Sequence, residues 1–357
     1  MDRHEVLSWL RERDELRLER LWASADLARR ERVGDAVHLR GLVEISNHCV
    51  RRCAYCGLRA PNEKVERYRM TTEEIAACVQ LAVTLGYGTI LLQSGEDPQI
   101  TKTWMAELIR RIKDETPLAV TLSLGERRVG ELEAWRAAGA DRYLLRFETS
   151  NPALFERIHP PRRAGAPDRL VLLSALRQLG YEVGSGVMVG LPGQTYEDLA
   201  TDLELFRDLD LDMIGVGPYL PHPDTPLGQV PRPAGNDQQV PNSELMTYKV
   251  VALTRLLCPR ANIPTTTALV TLNRERGREL GLMRGANVVM PNLTPAPYRR
   301  HYEIYPAKAC LYETVEQCHA GLTRRIRALG RTIGTGRGDS LNWRVRPDAA
   351  APRNHDV

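Results

Sequence analysis

The sequence predicts an α/β fold in which a closed (β/α)8 TIM-type barrel carries an N-terminal helical cap and a C-terminal extension. Short apolar runs alternate with amphipathic helical stretches from Val37 to about residue 300, which indicates parallel strands joined by helices. Eight such runs occur within about 250 residues, the typical length of a closed barrel. A chain of 357 residues with 43% hydrophobic composition also supports a large core.

The elements follow from this rhythm of apolar runs. The predicted strands lie at residues 42–45, 89–93, 119–122, 143–146, 183–189, 213–216, 264–268 and 287–290. Helices are predicted at 72–85, where Thr71 or Thr72 is the N-cap before Glu73 and Glu74, and at 195–209.

The chain divides into four predicted regions. Residues 1–36 carry the apolar stripe of helices and are predicted to form the cap. Residues 37–300 form the barrel, and 301–331 form the extension that closes it. Residues 332–357 are rich in Gly, Arg, Pro and Ala, which predicts a flexible tail.

Composition excludes several classes of protein. The net charge of +4 comes from scattered arginines with acidic residues among them, whereas a nucleic-acid binder concentrates basic charge on one face. No apolar run has transmembrane length and no secretory signal is present. We therefore expect no nucleic-acid or membrane partner and a cytoplasmic location, which also suits the odd number of seven cysteines.

Cys49, Cys53 and Cys56 form the most specific motif, Cys-x3-Cys-x2-Cys, directly after the first predicted strand. Three thiolates can hold three irons of a [4Fe-4S] cluster and leave the fourth iron open to a small molecule. A structural zinc site normally has four closed ligands in paired Cys-x-x-Cys units, and only one such pair exists here. A disulfide is not expected without signs of export. In a barrel, this loop lies at the mouth where active sites form.

Polar residues at the ends of later strands are candidates to meet the cysteine loop. Gly95 lets a ligand approach the backbone closely, and Glu96 supplies a carboxylate for an ammonium group, with a plain strand-to-helix turn as the alternative. By the strand period of two, Arg142 and Arg146 share one face, where charges need partners. Pairing between Arg146 and Glu148, or with a ligand, satisfies that need.

Further candidates come from other segments. Arg169 has the planar fork that suits a carboxylate, although a surface arginine on a helix is the alternative. Met188 and Met213 are either core or cavity wall, and His222 is either a loop hydrogen-bonding residue or a ligand. Other side chains suited to a deep cavity are Thr121, Ser123, Thr266, Thr267, Met290, Asn292, Tyr298, Tyr302 and Tyr305.

The cysteine motif, with Tyr55 before its third cysteine, resembles the radical S-adenosylmethionine (SAM) superfamily. Within it, the chain resembles the HydE family of [FeFe]-hydrogenase maturases over roughly residues 37 to 330. The segments that carry this closer resemblance are 45–49, 55–59, 68–71, 92–98, 140–146, 188–195, 221–226 and 286–292.

The resemblance implies that the three cysteines hold a [4Fe-4S] cluster and that SAM chelates its open iron. Glu96 would bind the amino group of SAM, Arg169 its carboxylate, and Glu148 with Arg146 its ribose or methionine end. Tyr55 would contact adenine through its backbone. The complete set of implied cofactor-binding residues is Tyr55, Gly95, Glu96, Ser123, Arg146, Glu148, Arg169 and Met188.

The resemblance also implies a substrate and partners. The substrate would be a small cysteine-bound iron carbonyl cyanide, attacked by a 5′-deoxyadenosyl radical, and Arg142 would suit its negative charge. The implied substrate contacts are Gln93, Thr121, Arg142, Met213, Thr266, Thr267, Met290, Tyr302 and Tyr305. The implied partners are a ferredoxin- or flavodoxin-like electron donor and the other hydrogenase maturases.

Two departures and two alternatives accompany this interpretation. Cys310 and Cys318 match two cysteines of a second cluster found in some relatives, but Gly321 stands in the third position, which argues against a complete cluster. Phe147 replaces a family histidine and is expected to remove a polar group beside the cofactor. The alternatives are an amino-acid synthase resembling methylornithine synthase, and a non-catalytic iron–sulfur carrier that would need no cavity around Glu96 and Arg169.

Overall fold

The centre of the fold is a curled parallel β-sheet in a computed structural model that describes residues 1–160, 168–230, 237–309 and 313–346. The strands are β1 (Ala36–Ser46), β2 (Thr89–Ser94), β3 (Ala119–Ser123), β4 (Arg142–Leu144), β5 (Glu182–Val189), β6 (Met213–Pro218), β7 (Val288–Val289) and β8 (Thr332–Ile333). Seven of them run in the order β6-β5-β4-β3-β2-β1-β7, and β8 pairs with the start of β1.

The register of the sheet gathers polar residues at its carboxyl edge. Glu44 on β1 pairs with Gln93 on β2, which pairs with Ser123 on β3. Because all of these strands are parallel, the loops that follow them leave from the same edge. This arrangement brings the cysteine loop after β1 next to the loops after β2 and β3.

The last two predicted strands are shorter than expected. Pro264 forms only a single bridge with Val288, and the chain enters a helix at Thr267, so a strand over 264–268 is wrong. Proline has no N–H for a strand ladder, which explains why pairing does not extend there. A second bridge joins Met213 of β6 to Asn262, so that residues 262–264 lie between the two outer strands β6 and β7.

Helices cover the outer face of the sheet, and both predicted helices are confirmed. The helices are α1 (Arg3–Arg11), α2 (Glu15–Val33), α3 (Thr72–Thr84), α4 (Lys102–Glu115), α5 (Val129–Ala137), α6 (Pro152–Ile158), α7 (Arg169–Gln178), α8 (Tyr196–Asp208), α9 (Glu244–Leu257), α10 (Thr267–Leu272), α11 (Gly277–Met283), α12 (Ala296–Arg299), α13 (Val315–Ala328) and α14 (Leu341–Arg344). Thr71 and Glu74 form a capping box at α3, and Thr195 and Asp198 form one at α8. No helix in these ranges is both long and apolar enough to cross a bilayer.

The first two helices pack against α8 and α9. Val6 and Leu10 are buried on α1, and Arg3 donates a 2.5 Å hydrogen bond to Glu204 on α8. The ammonium group of Lys249 on α9 donates to the backbone carbonyls of Leu10 and Glu12. The apolar stripe of residues 1–36 is therefore buried against outer helices of the fold.

The segment after residue 332 is ordered at least to residue 346, which corrects the prediction of a flexible tail for that part. The carbonyl of Arg337 accepts hydrogen bonds from Thr89 at the start of β2 and from Arg142 at the start of β4. Ser340 donates its backbone N–H to Glu182 at the start of β5, at 3.0 Å. Residues 337–340 thus lie against the amino ends of the strands.

Arg142 lies at the amino ends of the strands, here named the floor of the sheet, and not in a substrate site. This position corrects its predicted role. Its side chain is fully buried, with Nε 2.6 Å from Glu182 and Nη2 2.5 Å from Asp339. Burial raises the pKa of Asp339, but the charges of Arg142 and Arg337 outweigh burial and hold that pKa below its usual value. The contacts hold the C-terminal segment against the sheet.

Replacing Asp339 with Asn is expected to lower the free energy of unfolding by about 2–4 kcal/mol, because Arg142 then keeps a buried charge with one partner fewer. The measurement is urea denaturation followed by circular dichroism. Asp208→Asn is the matched control, since Asp208 pairs with Arg207 on the surface and its loss should change the free energy by less than about 0.5 kcal/mol. Equal effects of the two substitutions would contradict the assignment.

Candidate functional site

A cavity of about 340 Å³ lies between the strands and the loops at their carboxyl ends. Cys49 and Cys56 line its upper part, and Arg40 and Asn262 line its lower part, towards the amino ends of the strands. Every predicted cofactor residue except Glu96 lines the cavity, and every predicted substrate residue except Arg142 does so. The sheet therefore brings together nearly all of the residues that the sequence indicated.

The cysteine loop is held by backbone hydrogen bonds on both sides of the motif. The guanidinium of Arg67 donates to the carbonyls of Asn47 before the motif and of Leu58 after it, at 2.6 and 2.9 Å. Inside the motif, the N–H of Ala54 donates to the Ile158 carbonyl at 2.7 Å. These contacts fix the loop through its backbone, so the thiols do not have to hold it in shape.

The three thiols are free and largely removed from water. Cys53 is buried, and Cys49 and Cys56 are half-buried, without a disulfide among them. Burial raises the pKa of the Cys53 thiol to about 12 and raises the pKa values of the other two as well. Such thiols are protonated at neutral pH and release protons when a metal centre binds them. The loop suits a metal centre better than a reactive free thiolate.

Two glycines allow close packing of the loops beside the cysteine loop. A Cβ atom on Gly95 would lie 2.3 Å from the His48 carbonyl oxygen and 2.7 Å from the Cβ of Cys49. Gly125 has φ +75°, and a Cβ there would lie 2.1 Å from Cγ of Glu96. A side chain at either position would displace the residues that surround the candidate site.

Glu96 presents an unsatisfied carboxylate oxygen next to the cavity wall. Its side chain is 6% exposed, and Oε1 accepts a 3.0 Å hydrogen bond from the N–H of Glu126. Oε2 has no hydrogen-bond partner among the described residues. Burial raises the pKa of Glu96 above its ordinary value, which a cationic ligand would reverse. A buried acceptor of this kind is suited to an ammonium group.

Arg146 and Glu148 pair with each other, as the alternation along β4 predicted. Nη2 of Arg146 lies 3.2 Å from Oε2 of Glu148, and the hydroxyl of Tyr55 donates to Oε1 at 3.4 Å. Glu148 has φ +67°, a conformation that costs a residue other than glycine roughly 1–3 kcal/mol. The chain bears this strain where the carboxylate turns into the cavity.

Phe147 does not line this cavity, but it lines a neighbouring one together with Glu126 and Arg169. Its ring packs against Phe206 of α8, with ring centroids 5.6 Å apart. Phe147 follows the end of β4 and belongs to the hydrophobic core, whereas its neighbours Arg146 and Glu148 line the cavity. A phenylalanine at this position therefore presents an apolar ring to the cavity beside Arg169, and its effect on the cofactor site stays a prediction.

Arg169 is a buried site residue and not a surface arginine. It is 7% exposed at the start of α7, where Asp168 forms the N-cap, and its side chain lines the cavity. Nε donates to Glu126 at 2.9 Å, and Nη1 donates to the carbonyl of Arg146. Packing of the α7 start against the loops after β3 and β4 gives Arg169 this position.

The lower cavity contains neutral polar and sulfur-bearing groups. Gln93 donates to the hydroxyl of Tyr302 at 3.3 Å, and Met213 accepts from Arg40 at 2.8 Å. The hydroxyl of Thr121 is buried and has no partner within the ranges that the structure describes. Thr266, Thr267, Met290 and Tyr305 complete the predicted residues on this wall.

The sequence interpretation missed three charged residues of the cavity, Arg40, Glu44 and Lys308. Lys308 forms a buried ion pair with Glu44, whose second oxygen accepts from Asn292 at 3.0 Å. Glu44 interrupts the apolar run 42–45, and that interruption was a usable signal because a charge inside a buried strand needs a reason. Nothing local to Lys308 indicated that it would reach β1.

Other predicted candidates lie outside the cavity. Nδ1 of His222 accepts from the N–H of Asp224 at 3.1 Å, as expected for a loop hydrogen-bonding residue. Tyr298 stacks on Tyr68 with centroids 4.7 Å apart. Cys318 is buried in the hydrophobic core on α13, and Cys310 lies outside the described residues.

Replacing Gly125 with Ala is expected to lower the free energy of unfolding by about 2–4 kcal/mol, through left-handed strain and contact with Glu96. Gly130→Ala is the control, because a Cβ on this glycine of α5 meets open space and should stabilise the protein by about 0.4–1 kcal/mol. Thermal and urea denaturation measure both. A neutral effect of Gly125→Ala would mean that Glu96 is free to move.

Comparison with known proteins agrees with this site. Residues 43–206 match the model of the Radical SAM superfamily. The chain is 48% identical over 316 residues to the [FeFe] hydrogenase maturase subunit HydE of Thermotoga maritima, which covers 88% of this chain and 87% of the relative. It is 29% identical over 276 residues to 3-methylornithine synthase of Methanosarcina acetivorans, over 76% of this chain and 74% of the relative.

Solved structures share the architecture. A crystal structure of methylornithine synthase (PylB) has a TM-score of 0.77 and 25% identity, over 93% of this chain and 94% of that chain. A crystal structure of HydG, a maturase of the [FeFe]-hydrogenase, has a TM-score of 0.74 over 93% of this chain and 71% of that chain, and at 20% identity it supports the fold only. The resemblance seen in the sequence is confirmed: the chain belongs to the HydE family of [FeFe]-hydrogenase maturases, radical SAM enzymes that use a [4Fe-4S] cluster and SAM.

Proposed function

We propose that Cys49, Cys53 and Cys56 hold the [4Fe-4S] cluster and that SAM binds between this loop and the loops after β2 and β4. The observation that carries the proposal is that two of the three free thiols, Cys49 and Cys56, line one cavity, while Glu96, directly after the lining residue Gly95, has a buried oxygen that accepts no hydrogen bond. Three thiolates match three irons, and Gly95 lines the cavity in which a ligand on the fourth iron would lie. The residues present therefore fit both groups.

Each polar residue then has a distinct binding task. Glu96 accepts hydrogen bonds from the amino group of SAM, and Arg169 binds its carboxylate. Glu148, held by Arg146 and Tyr55, accepts from the ribose hydroxyls, while Ser123 and Met188 line the same wall. When bound, the cluster and SAM supply a one-electron reduction that yields methionine and a 5′-deoxyadenosyl radical.

The walls of the cavity protect such chemistry from solvent. Tyr302, Met213 and Met290 surround the space below the cysteine loop with apolar surface. A cavity shielded in this way excludes water and stray hydrogen donors from a reactive intermediate. A carrier that only passes on a cluster has no use for this cavity, so the non-catalytic alternative is the weaker one.

We propose a small cysteine-bound iron carbonyl cyanide as the substrate, in the lower cavity. Gln93, Thr121, Thr266, Thr267 and Tyr305 line this space, and Arg40 replaces Arg142 as the cation available to a negatively charged ligand. The 48% identity to the HydE relative favours this substrate class over an amino acid. A ferredoxin- or flavodoxin-like protein as electron donor, the other hydrogenase maturases as partners and a cytoplasmic location complete the proposal.

We also propose that the sheet closes into a (β/α)8 barrel through residues 262–264. The bridges Met213–Asn262 and Pro264–Val288 support this closure, since they connect both outer strands to one segment. Residues 1–36 would serve as the helical cap of barrel 37–300. Residues 301–331 would close its mouth, and Tyr302 and Lys308 of that region line the cavity.

The test is anaerobic reconstitution with iron and sulfide, followed by dithionite and SAM. The expected product is 5′-deoxyadenosine or an adduct derived from it, and Cys53→Ala should abolish its formation together with the absorbance of the cluster. Cys258→Ala is the matched control, because this thiol lies at the end of α9, away from the cavity. Product formation by Cys53→Ala would refute the ligand assignment, and its absence from the wild type would refute the proposed function.

A further inference from the structure

A set of five ionisable side chains, here named the Glu126 cluster, lies next to the proposed cofactor site. They come from five separate segments: Arg51 from the cysteine loop, Glu96 from the loop after β2, Glu126 from the loop after β3, His159 from the end of α6 and Arg169 from the start of α7. Two of them, Glu96 and Arg169, are the proposed contacts to the two ends of the amino-acid portion of SAM. The other three have no role in the reaction as described so far.

Glu126 contacts the three other charged members of the cluster. One carboxylate oxygen accepts from Nη1 of Arg51 at 3.1 Å, and the other accepts from Nε of Arg169 at 2.9 Å. Its backbone N–H donates to Glu96 at 3.0 Å. A side chain only 14% exposed thereby connects the cysteine loop to both proposed SAM contacts.

His159 lies between the same two arginines but cannot replace Glu126. Nδ1 is 2.7 Å from Nη2 of Arg51, and Nε2 contacts Nη2 of Arg169. Burial, followed by the charges of Arg169 and Arg51, lowers the pKa of His159 to about 2, so its ring is neutral. A neutral imidazole has one accepting nitrogen and accepts from only one arginine at a time. Glu126 alone in the cluster has oxygens bonded to both guanidinium groups.

The contacts of Arg169 leave room for a ligand. A guanidinium has five N–H donors. Glu126 takes the one on Nε, while the Arg146 carbonyl and His159 each engage one Nη atom. Each Nη atom therefore retains a second N–H, and a carboxylate needs donors of this kind. By binding at Nε, Glu126 orients the group without occupying these two donors.

We propose that Glu126 is a positioning residue that fixes Arg169 for the carboxylate of SAM and couples it to Arg51 in the cysteine loop. Its negative charge also offsets the repulsion between two buried guanidinium groups that share one imidazole. The inference rests on the proposed function, in which Arg169 binds that carboxylate. Residues that hold ligand-binding groups in this way commonly affect affinity by 10- to 100-fold.

The test compares Glu126→Gln with the wild type and with Glu133→Gln, an exposed glutamate on α5. Each reconstituted holoenzyme is assayed for iron content, for SAM affinity by calorimetry, and by electron paramagnetic resonance of the reduced cluster with and without SAM. We expect Glu126→Gln to keep its cluster, to bind SAM about 10- to 100-fold more weakly, and to raise KM more than it lowers kcat. Glu133→Gln should match the wild type in every measurement.

Three results would overturn the inference. They are wild-type SAM affinity in Glu126→Gln, loss of the cluster itself with unchanged folding, and an equal loss of affinity in Glu133→Gln. If Glu126→Gln does not fold, Glu126→Asp decides, because it keeps the charge but shortens its reach: weaker SAM binding with an intact cluster supports the role, and unchanged binding refutes it. Failure of the wild type to bind or cleave SAM would instead refute the proposed function.

Discussion

Charges inside the sheet need partners, and this requirement shapes both ends of the molecule. An unpaired charge in a protein interior costs several kcal/mol, so a buried arginine or lysine persists only beside a carboxylate or carbonyls. At the amino ends of the strands, Glu182 and Asp339 neutralise Arg142. At the carboxyl ends, Arg146 pairs with Glu148, and Lys308 reaches Glu44 from a segment far along the chain. Ion pairs thus hold the segments that follow β7 in the sequence against the sheet.

The carboxyl end differs in one respect that matters for binding. There the pairing is incomplete, since one oxygen of Glu96 lies 3.9 Å from Arg51 and has no hydrogen-bond partner within the described ranges. Next to it, Arg169 retains N–H groups beyond those engaged by Glu126 and its other neighbours. A zwitterionic ligand offers the two missing charges, one at each end. Paired charges thus stabilise the amino ends of the strands, and incompletely paired charges make the carboxyl ends suited to a charged ligand.

Much of this arrangement is predictable from local patterns, but the end of the sheet at which a buried charge finds its partners is not. The cysteine spacing predicts the cluster-binding loop, and the alternation of strands and helices predicts the edge of the sheet at which the site lies. Both predictions depend on residues close in sequence. Alternation also predicts that Arg142 and Arg146 share one face. At about 3.3 Å per residue, however, they lie about 13 Å apart along the chain, which places Arg142 at the amino end of the strand and Arg146 at the carboxyl end. The partners that decide between these positions, Glu182 and Asp339, lie 40 and 197 residues away. The packing of Phe147 against Phe206 and the reach of Lys308 to Glu44 both depend on residues distant in sequence and were not predictable.

The floor has a consequence for how the chain is made. Arg142 emerges from the ribosome well before Asp339, which follows 197 residues later. At about 5–20 residues per second, that interval is roughly 10–40 s. During it, the nascent sheet carries a guanidinium that lacks one of its two native carboxylates, so the sheet lacks the stability that this ion pair contributes. The sheet therefore reaches its full stability only after residues 337–340 have been synthesised.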